Sequence, residues 1–61
     1  MLLAIDVGNT NTTLGLFVGR SLKHSWVFST DPGRTADEIG ILFLSLFQHI
    51  NEDIRSVKDV I

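Results

Sequence analysis

The chain has 61 residues, enough for one small domain that would bury only about 60% of its unfolded surface. Its composition, 44% hydrophobic and 20% charged, is typical of a globular protein, and the lack of cysteine excludes disulfides and a thiol nucleophile. The net charge is −2 and the basic residues are scattered, which argues against binding to nucleic acid. No apolar run approaches the roughly 20 residues that a membrane span needs.

Three short strands are predicted in the first half of the chain. The continuous apolar run from Met1 to Val7 is typical of a strand buried on both faces. Thr12 to Val18 is rich in β-branched and large apolar residues and predicts a second strand. Leu22 to Ser29 alternates and resembles a sheet edge. Its predicted faces are Leu22, His24, Trp26 and Phe28 on one side, and Lys23, Ser25, Val27 and Ser29 on the other. The short connections predict an antiparallel meander.

One helix is predicted from about Ala36 to His49. It would begin with a capping box, in which the Thr35 hydroxyl accepts from the Glu38 amide and the Glu38 side chain reaches back to the Thr35 amide. The apolar residues at helical spacing are Ile39, Leu42, Phe43, Leu46, Phe47 and Ile50. Because Ile41 and Leu44 make the opposite side apolar as well, we expect a further layer of protein against it.

The last residues predict a return to the sheet. Asn51 to Asp59 is polar and is expected to form a loop with one helical turn near Ile54. Val57 to Ile61 then resembles the start of a strand, which after a helix would pair parallel to the first strand. The expected fold class is therefore α/β, with the element order β-β-β-α-β, in a domain that would continue beyond Ile61.

The stretch DVGNTNTT, residues 6–13, has two interpretations. Gly-Asn between two strands is an ordinary hairpin signal. The same loop also has the features of a phosphate cradle, because Gly8 gives an anion room to approach the backbone and the following Asn and Thr residues are short donors. Asp6 ends an apolar strand, and a carboxylate beside phosphates needs a cation between them, so Asp6 is a candidate Mg²⁺ ligand.

The sequence MLLAIDVGNTNTTLGLF resembles the N-terminus of type III pantothenate kinases, which belong to the actin-like ATPase superfamily of ribonuclease-H-like domains. Its D-x-G-N-T element is similar to the first phosphate motif of that superfamily. A second match, W-x-F-S-T-D-x-x-R-T-A-D-E, runs from Trp26 to Glu38. The resemblance covers the whole chain and implies a partial ribonuclease-H-like domain over residues 1–61, truncated at its C-terminus.

The activity that this resemblance implies is ATP-dependent phosphorylation of pantothenate, the first step of coenzyme A biosynthesis, by a cytoplasmic homodimer. The implied contacts to the ATP phosphates are Asp6, Val7, Gly8, Asn9, Thr10, Asn11, Thr12 and Thr13. Mg²⁺, held by Asp6 through water, and a monovalent cation, K⁺ or NH₄⁺, are the implied cofactors. The catalytic base, the pantothenate pocket and the monovalent-cation ligand lie beyond Ile61 in the family, so no catalytic residue is expected within this chain.

Two alternatives stay open at this point. A non-catalytic fragment or a transcription accessory protein of the same family need not respond to ATP and Mg²⁺. Another kinase of the actin-like superfamily would differ in the acceptor that it phosphorylates.

Other side chains have structural interpretations. Trp26 and Phe28 are expected in the core. Arg34 is a candidate for contact with a phosphate, but pairing with Asp31 or Asp37 at the surface is the expectation. The isolated chain is expected to unfold with little cooperativity and to have no kinase activity by itself.

Overall fold

The computed structural model describes all 61 residues as a four-stranded mixed sheet with one helix against it. The elements are β1 (Leu2–Val7), β2 (Asn11–Val18), β3 (Ser21–Ser29), α1 (Ala36–His49), a 3-10 turn (Ile54–Ser56) and β4 (Asp59–Val60). The strand order is β3-β2-β1-β4. β2 is antiparallel to both of its neighbours, while β4 is parallel to β1. The predicted α/β class is confirmed, and the parallel return of β4 makes the sheet mixed.

Local interactions define both ends of helix α1. The Thr35 hydroxyl accepts from the Glu38 amide at 3.2 Å, and the Glu38 carboxylate accepts from the Thr35 amide at 3.0 Å, which confirms the predicted capping box. At the other end Asn51 adopts a left-handed conformation with φ of 58°, which closes the helix and which asparagine tolerates. No helix in the structure combines the length and apolarity that crossing a bilayer requires.

The chain returns from α1 to the sheet through a short capped turn. The Asp53 carboxylate accepts from the Arg55 amide at 2.9 Å and from the Arg55 guanidinium, and this contact lowers the pKa of Asp53. β4 then joins β1, with Leu2 opposite Asp59 and Leu3 opposite Val60.

The core lies between α1 and one face of the sheet. Leu3, Leu14 and Leu16 from the sheet and Phe47 from the helix are buried. Around them pack partly buried aromatic rings: Trp26 lies 5.9 Å from Phe47, and Phe28 contacts Phe43 edge-on at 6.4 Å. The prediction that Trp26 and Phe28 belong to the core is confirmed.

The opposite face of the sheet is open, so the prediction that β1 is buried on both faces is wrong. Leu3 is buried, but Ala4 on the other face is only half-buried and Asp6 is exposed. An open cavity of about 400 Å³ lies on this side, and Ala4, Gly15 and Phe17 are among the residues that line it. The reason is that α1, the only long helix of the chain, packs on the other face.

The predicted faces of β3 are wrong at Leu22 because the strand contains a bulge. Leu16 pairs with His24, but the next residue, Phe17, pairs with Leu22, so Lys23 is the extra residue. The bulge places Leu22 beside Phe17 on the open face, where both side chains approach the position that a Cβ on Gly15 would take. Leu22 therefore does not share a face with His24.

Candidate phosphate-binding loop

The loop between β1 and β2 is a tight hairpin formed by residues 8–10. The Gly8 amide donates to the Asn11 carbonyl oxygen at 2.9 Å. A side-chain carbon on Gly8 would lie 2.8 Å from that same oxygen, which is closer than real Cβ contacts come. The hairpin therefore requires glycine at this position for its own backbone, whatever ligand it takes. Its fitness for a phosphate depends on the groups that it exposes.

The predicted site residues fall into three groups. Asp6 and Thr13 are exposed cross-strand neighbours on the open face of the sheet and line its cavity. Val7 and Thr12 pair on the helix-facing side, where Thr12 is only 5% exposed. The exposed residues of the hairpin tip are Gly8, Asn9, Thr10 and Asn11. The side chains of the two strand pairs thus lie on opposite faces of the sheet, and the hairpin tip follows at the end of both strands.

The hairpin tip carries backbone donors that the fold does not use. The amides of Asn9 and Thr10 donate to no other group of the chain, whereas the amide of Gly8 is occupied by Asn11. The side chains of Asn9, Thr10 and Asn11 are exposed and add further short donors. Successive unpaired amides beside a glycine are suited to holding an oxyanion.

A residue outside the predicted set, Thr30, ties this hairpin to the end of β3. Its amide donates to the Thr10 carbonyl at 2.9 Å, and its hydroxyl donates to the Gly8 carbonyl at 2.8 Å. The Thr30 hydroxyl also lies 2.9 Å from the Thr12 hydroxyl. No local sequence pattern marks this role, although Thr30 lies within the second motif, because the contact arises from the register between strands.

Arg34 occupies a different place from the one predicted for it. Its guanidinium donates to the Ser29 carbonyl at 2.8 Å and lies 5.4 Å from the centre of the Phe28 ring. It forms no ion pair with Asp31 or Asp37, so that prediction is wrong. Asp31 instead accepts from the Gly33 amide at 2.9 Å, which shapes the turn before α1. A second cavity of about 300 Å³ lies between this turn, the helix and the end of the sheet.

Asp6 is the one carboxylate within the β1–β2 hairpin itself, and it is the candidate there for holding a metal ion. Asp6 is exposed at the end of β1, and no cluster of three or more His, Cys, Asp or Glu side chains exists in the chain. Mg²⁺ keeps several waters and commonly takes one or two carboxylates together with substrate phosphates. A single exposed carboxylate next to unpaired amides fits that kind of site, and it does not fit an all-protein metal cage.

These features define an α/β domain with a candidate anion-binding hairpin. The sequence model of the family described as "Type III pantothenate kinase" matches residues 2–61. The chain belongs to the type III pantothenate kinase family.

Relatives named type III pantothenate kinase support the same assignment along the whole chain. One from an Exiguobacterium species is 51% identical over 61 residues, and one from Myxococcus xanthus is 54% identical over 61 residues. A third, from Brevibacillus brevis, is 48% identical over 61 residues. In each case the match covers 100% of this chain and 24% of the relative, so the chain spans about a quarter of their length.

Proposed function

We propose that this chain supplies the ATP phosphate-binding loop of a kinase that phosphorylates pantothenate, the first step of coenzyme A biosynthesis. The observation that carries the proposal is the hairpin tip, where the amides of Asn9 and Thr10 have no partner within the fold. Support comes from the family match, which includes this hairpin. Membership of the family and the geometry of the loop favour the same ligand, a phosphate.

Phosphoryl transfer depends mainly on positioning of the reacting groups and on charge stabilisation. The residues of the hairpin are suited to positioning the phosphates. The exposed amides and the Asn9, Thr10 and Asn11 side chains would hold phosphate oxygens at the hairpin tip. Asp6 would hold Mg²⁺ through water, and the bound ion supplies the positive charge that a loop without lysine or arginine lacks. Asp6 would not act as the general base, because its oxygens would be engaged with the hydrated metal.

The proposal extends beyond the hairpin to the fold and the assembly of the whole enzyme. We assign the sheet to the start of a ribonuclease-H-like domain of the actin-like ATPase superfamily, and the order β3-β2-β1-β4 with a parallel β4 supports this. The proposed enzyme is a homodimer that also uses a monovalent cation. Its catalytic base and its pantothenate pocket would come from segments outside these 61 residues, since the relatives are about four times as long.

The test is a hybrid enzyme in which residues 1–61 of this chain replace the 61 aligned residues of the Myxococcus xanthus relative, at 54% identity. We expect the hybrid to transfer phosphate from ATP to pantothenate with a rate near that of the parent. A folded hybrid that binds no ATP would contradict the loop assignment. Because the pantothenate pocket of the hybrid comes from the relative, transfer of phosphate in the hybrid reports on the loop that this chain supplies.

A further inference from the structure

Thr30 bonds to both ends of the hairpin, although it is 22 residues away from Gly8 along the chain. Its hydroxyl contacts the Gly8 carbonyl at 2.8 Å and its amide contacts the Thr10 carbonyl at 2.9 Å. The two acceptors flank Asn9, the residue at the middle of the tip. The segment that carries the unpaired amides is therefore held on both sides by one residue at the end of β3.

The donor and the acceptor of each hydrogen bond at the Thr30 hydroxyl follow from the chemistry of the groups. A carbonyl oxygen only accepts, so the single proton of the Thr30 hydroxyl goes to Gly8. The Thr12 hydroxyl, 2.9 Å from the Thr30 hydroxyl, must then donate to it. Thr12 is almost fully buried, so the result is a short chain of hydrogen bonds from the core to the hairpin, in which each bond strengthens the next.

Holding the Gly8 carbonyl also orients the Asn9 amide. The peptide bond between the two residues is planar and trans, so the N–H of Asn9 points opposite to the C=O of Gly8. Because the carbonyl points to Thr30, the amide points away from Thr30. Asn9 is exposed, so an external anion can reach this residue.

We propose that Thr30 is a positioning residue for the phosphate-binding hairpin, acting through the Gly8 and Thr10 carbonyls to present the Asn9 amide to the nucleotide. The inference rests on the proposed function, since it assumes that the hairpin takes the phosphates of ATP. It also gives the second sequence motif a structural role, because that motif begins in β3 and leads through Thr30 into α1, so it joins the hairpin to the helix.

The first experiment compares Thr30→Val with Thr30→Ser in the hybrid enzyme. Valine keeps the shape and loses the hydroxyl, whereas serine keeps the hydroxyl. We expect Thr30→Val to raise KM for ATP on the order of tenfold, the effect of one lost hydrogen bond, and to leave KM for pantothenate unchanged. Thr30→Ser should restore KM for ATP to near the parent value.

A double variant separates positioning from stability. Thr30→Val alone leaves the buried Thr12 hydroxyl without its partner, and this also destabilises the fold. In Thr12→Val/Thr30→Val both partners are apolar, so the melting temperature should recover while KM for ATP stays raised. Thr35→Val is the matched control, because it loses a hydroxyl of the helix cap and does not touch the hairpin.

The outcomes distinguish the two proposals. If the hybrid uses ATP and pantothenate but Thr30→Val has the KM for ATP of the parent, the positioning role is wrong and the proposed function stands. A double variant that recovers KM for ATP together with its melting temperature would show that Thr30 acts on stability alone. If the unsubstituted hybrid folds and binds no ATP, the proposed function is wrong, and the role of Thr30, which rests on it, is wrong as well.

Discussion

Gly8 is the residue whose identity the backbone constrains most directly. A methyl group there would meet the Asn11 carbonyl oxygen at 2.8 Å, so Gly8→Ala must displace the hairpin. We expect this change to cost about 1–3 kcal/mol, as overpacking does, and to lower the melting temperature of the hybrid enzyme. Its activity should fall as well, because the amides beside Gly8 move.

Gly40 offers a matched control for that substitution. Gly40 lies within α1 and nothing stands within 4 Å of the position that its Cβ would take. In the isolated chain, Gly40→Ala should therefore stabilise the helix by about 0.5–1 kcal/mol. If Gly8→Ala and Gly40→Ala, both made in the isolated chain, shifted its stability to urea in the same direction, the close approach at the hairpin would be contradicted.

A second prediction for a single residue concerns the Asp6 carboxylate. Asp6→Asn keeps the size of the side chain and removes its charge, so the hybrid enzyme should fold normally and turn over on the order of a hundredfold more slowly. The variant should also need more Mg²⁺ to reach half of its maximal rate. Asp59→Asn in β4 is the control, since Asp59 is exposed and lies away from the hairpin. Normal turnover in Asp6→Asn would reject the metal assignment.

At the scale of the element, α1 depends on its capping box. Thr35→Val removes the acceptor for the Glu38 amide, and we expect a loss of about 1 kcal/mol, visible as a lower melting temperature. Kinetic constants for ATP should not change, because the cap makes no contact with the hairpin. A selective rise in KM for ATP in this variant would show that the start of the helix and the hairpin are coupled.

Element boundaries and element pairing differ in how far they follow from sequence. The helix predicted from Ala36 to His49 is found there, because capping and helical spacing act over a few neighbouring residues. The alternation of β3 predicts its faces, but it misplaces Leu22. An alternating pattern carries no mark of the residue at which a bulge shifts it, since the bulge is decided by the partner strand.

For the whole molecule, the small core sets the stability of the isolated chain. Only 5 of 61 residues are buried, while Ile41 and Leu44 on the helix are 65% and 48% exposed. We expect the isolated chain to unfold over a broad range of urea and to show no kinase activity. Fluorescence of Trp26, the single tryptophan, which packs on Phe47, and circular dichroism follow the transition.

The hybrid enzyme provides the comparison for this measurement. Its transition should be sharper than that of the isolated chain, because further protein would cover the exposed apolar residues of α1 and the open face of the sheet. A sharp unfolding transition of the isolated chain as a monomer, at low protein concentration, would contradict the expectation.

The sequence by itself determined the α/β class, the helix with its cap, the parallel return of the last strand and the resemblance to a family that the comparison confirms. Each of these depends on spacing and residue type over short stretches. It also predicted the eight residues of the hairpin region as a phosphate site, and that assignment stays a prediction.

Only the tertiary structure decided which groups around the hairpin are available. It buried Thr12, left the Asn9 and Thr10 amides unpaired and brought Thr30 to the Gly8 carbonyl. The physical reason is that these contacts join residues far apart in the chain, and strand register, not local propensity, selects them.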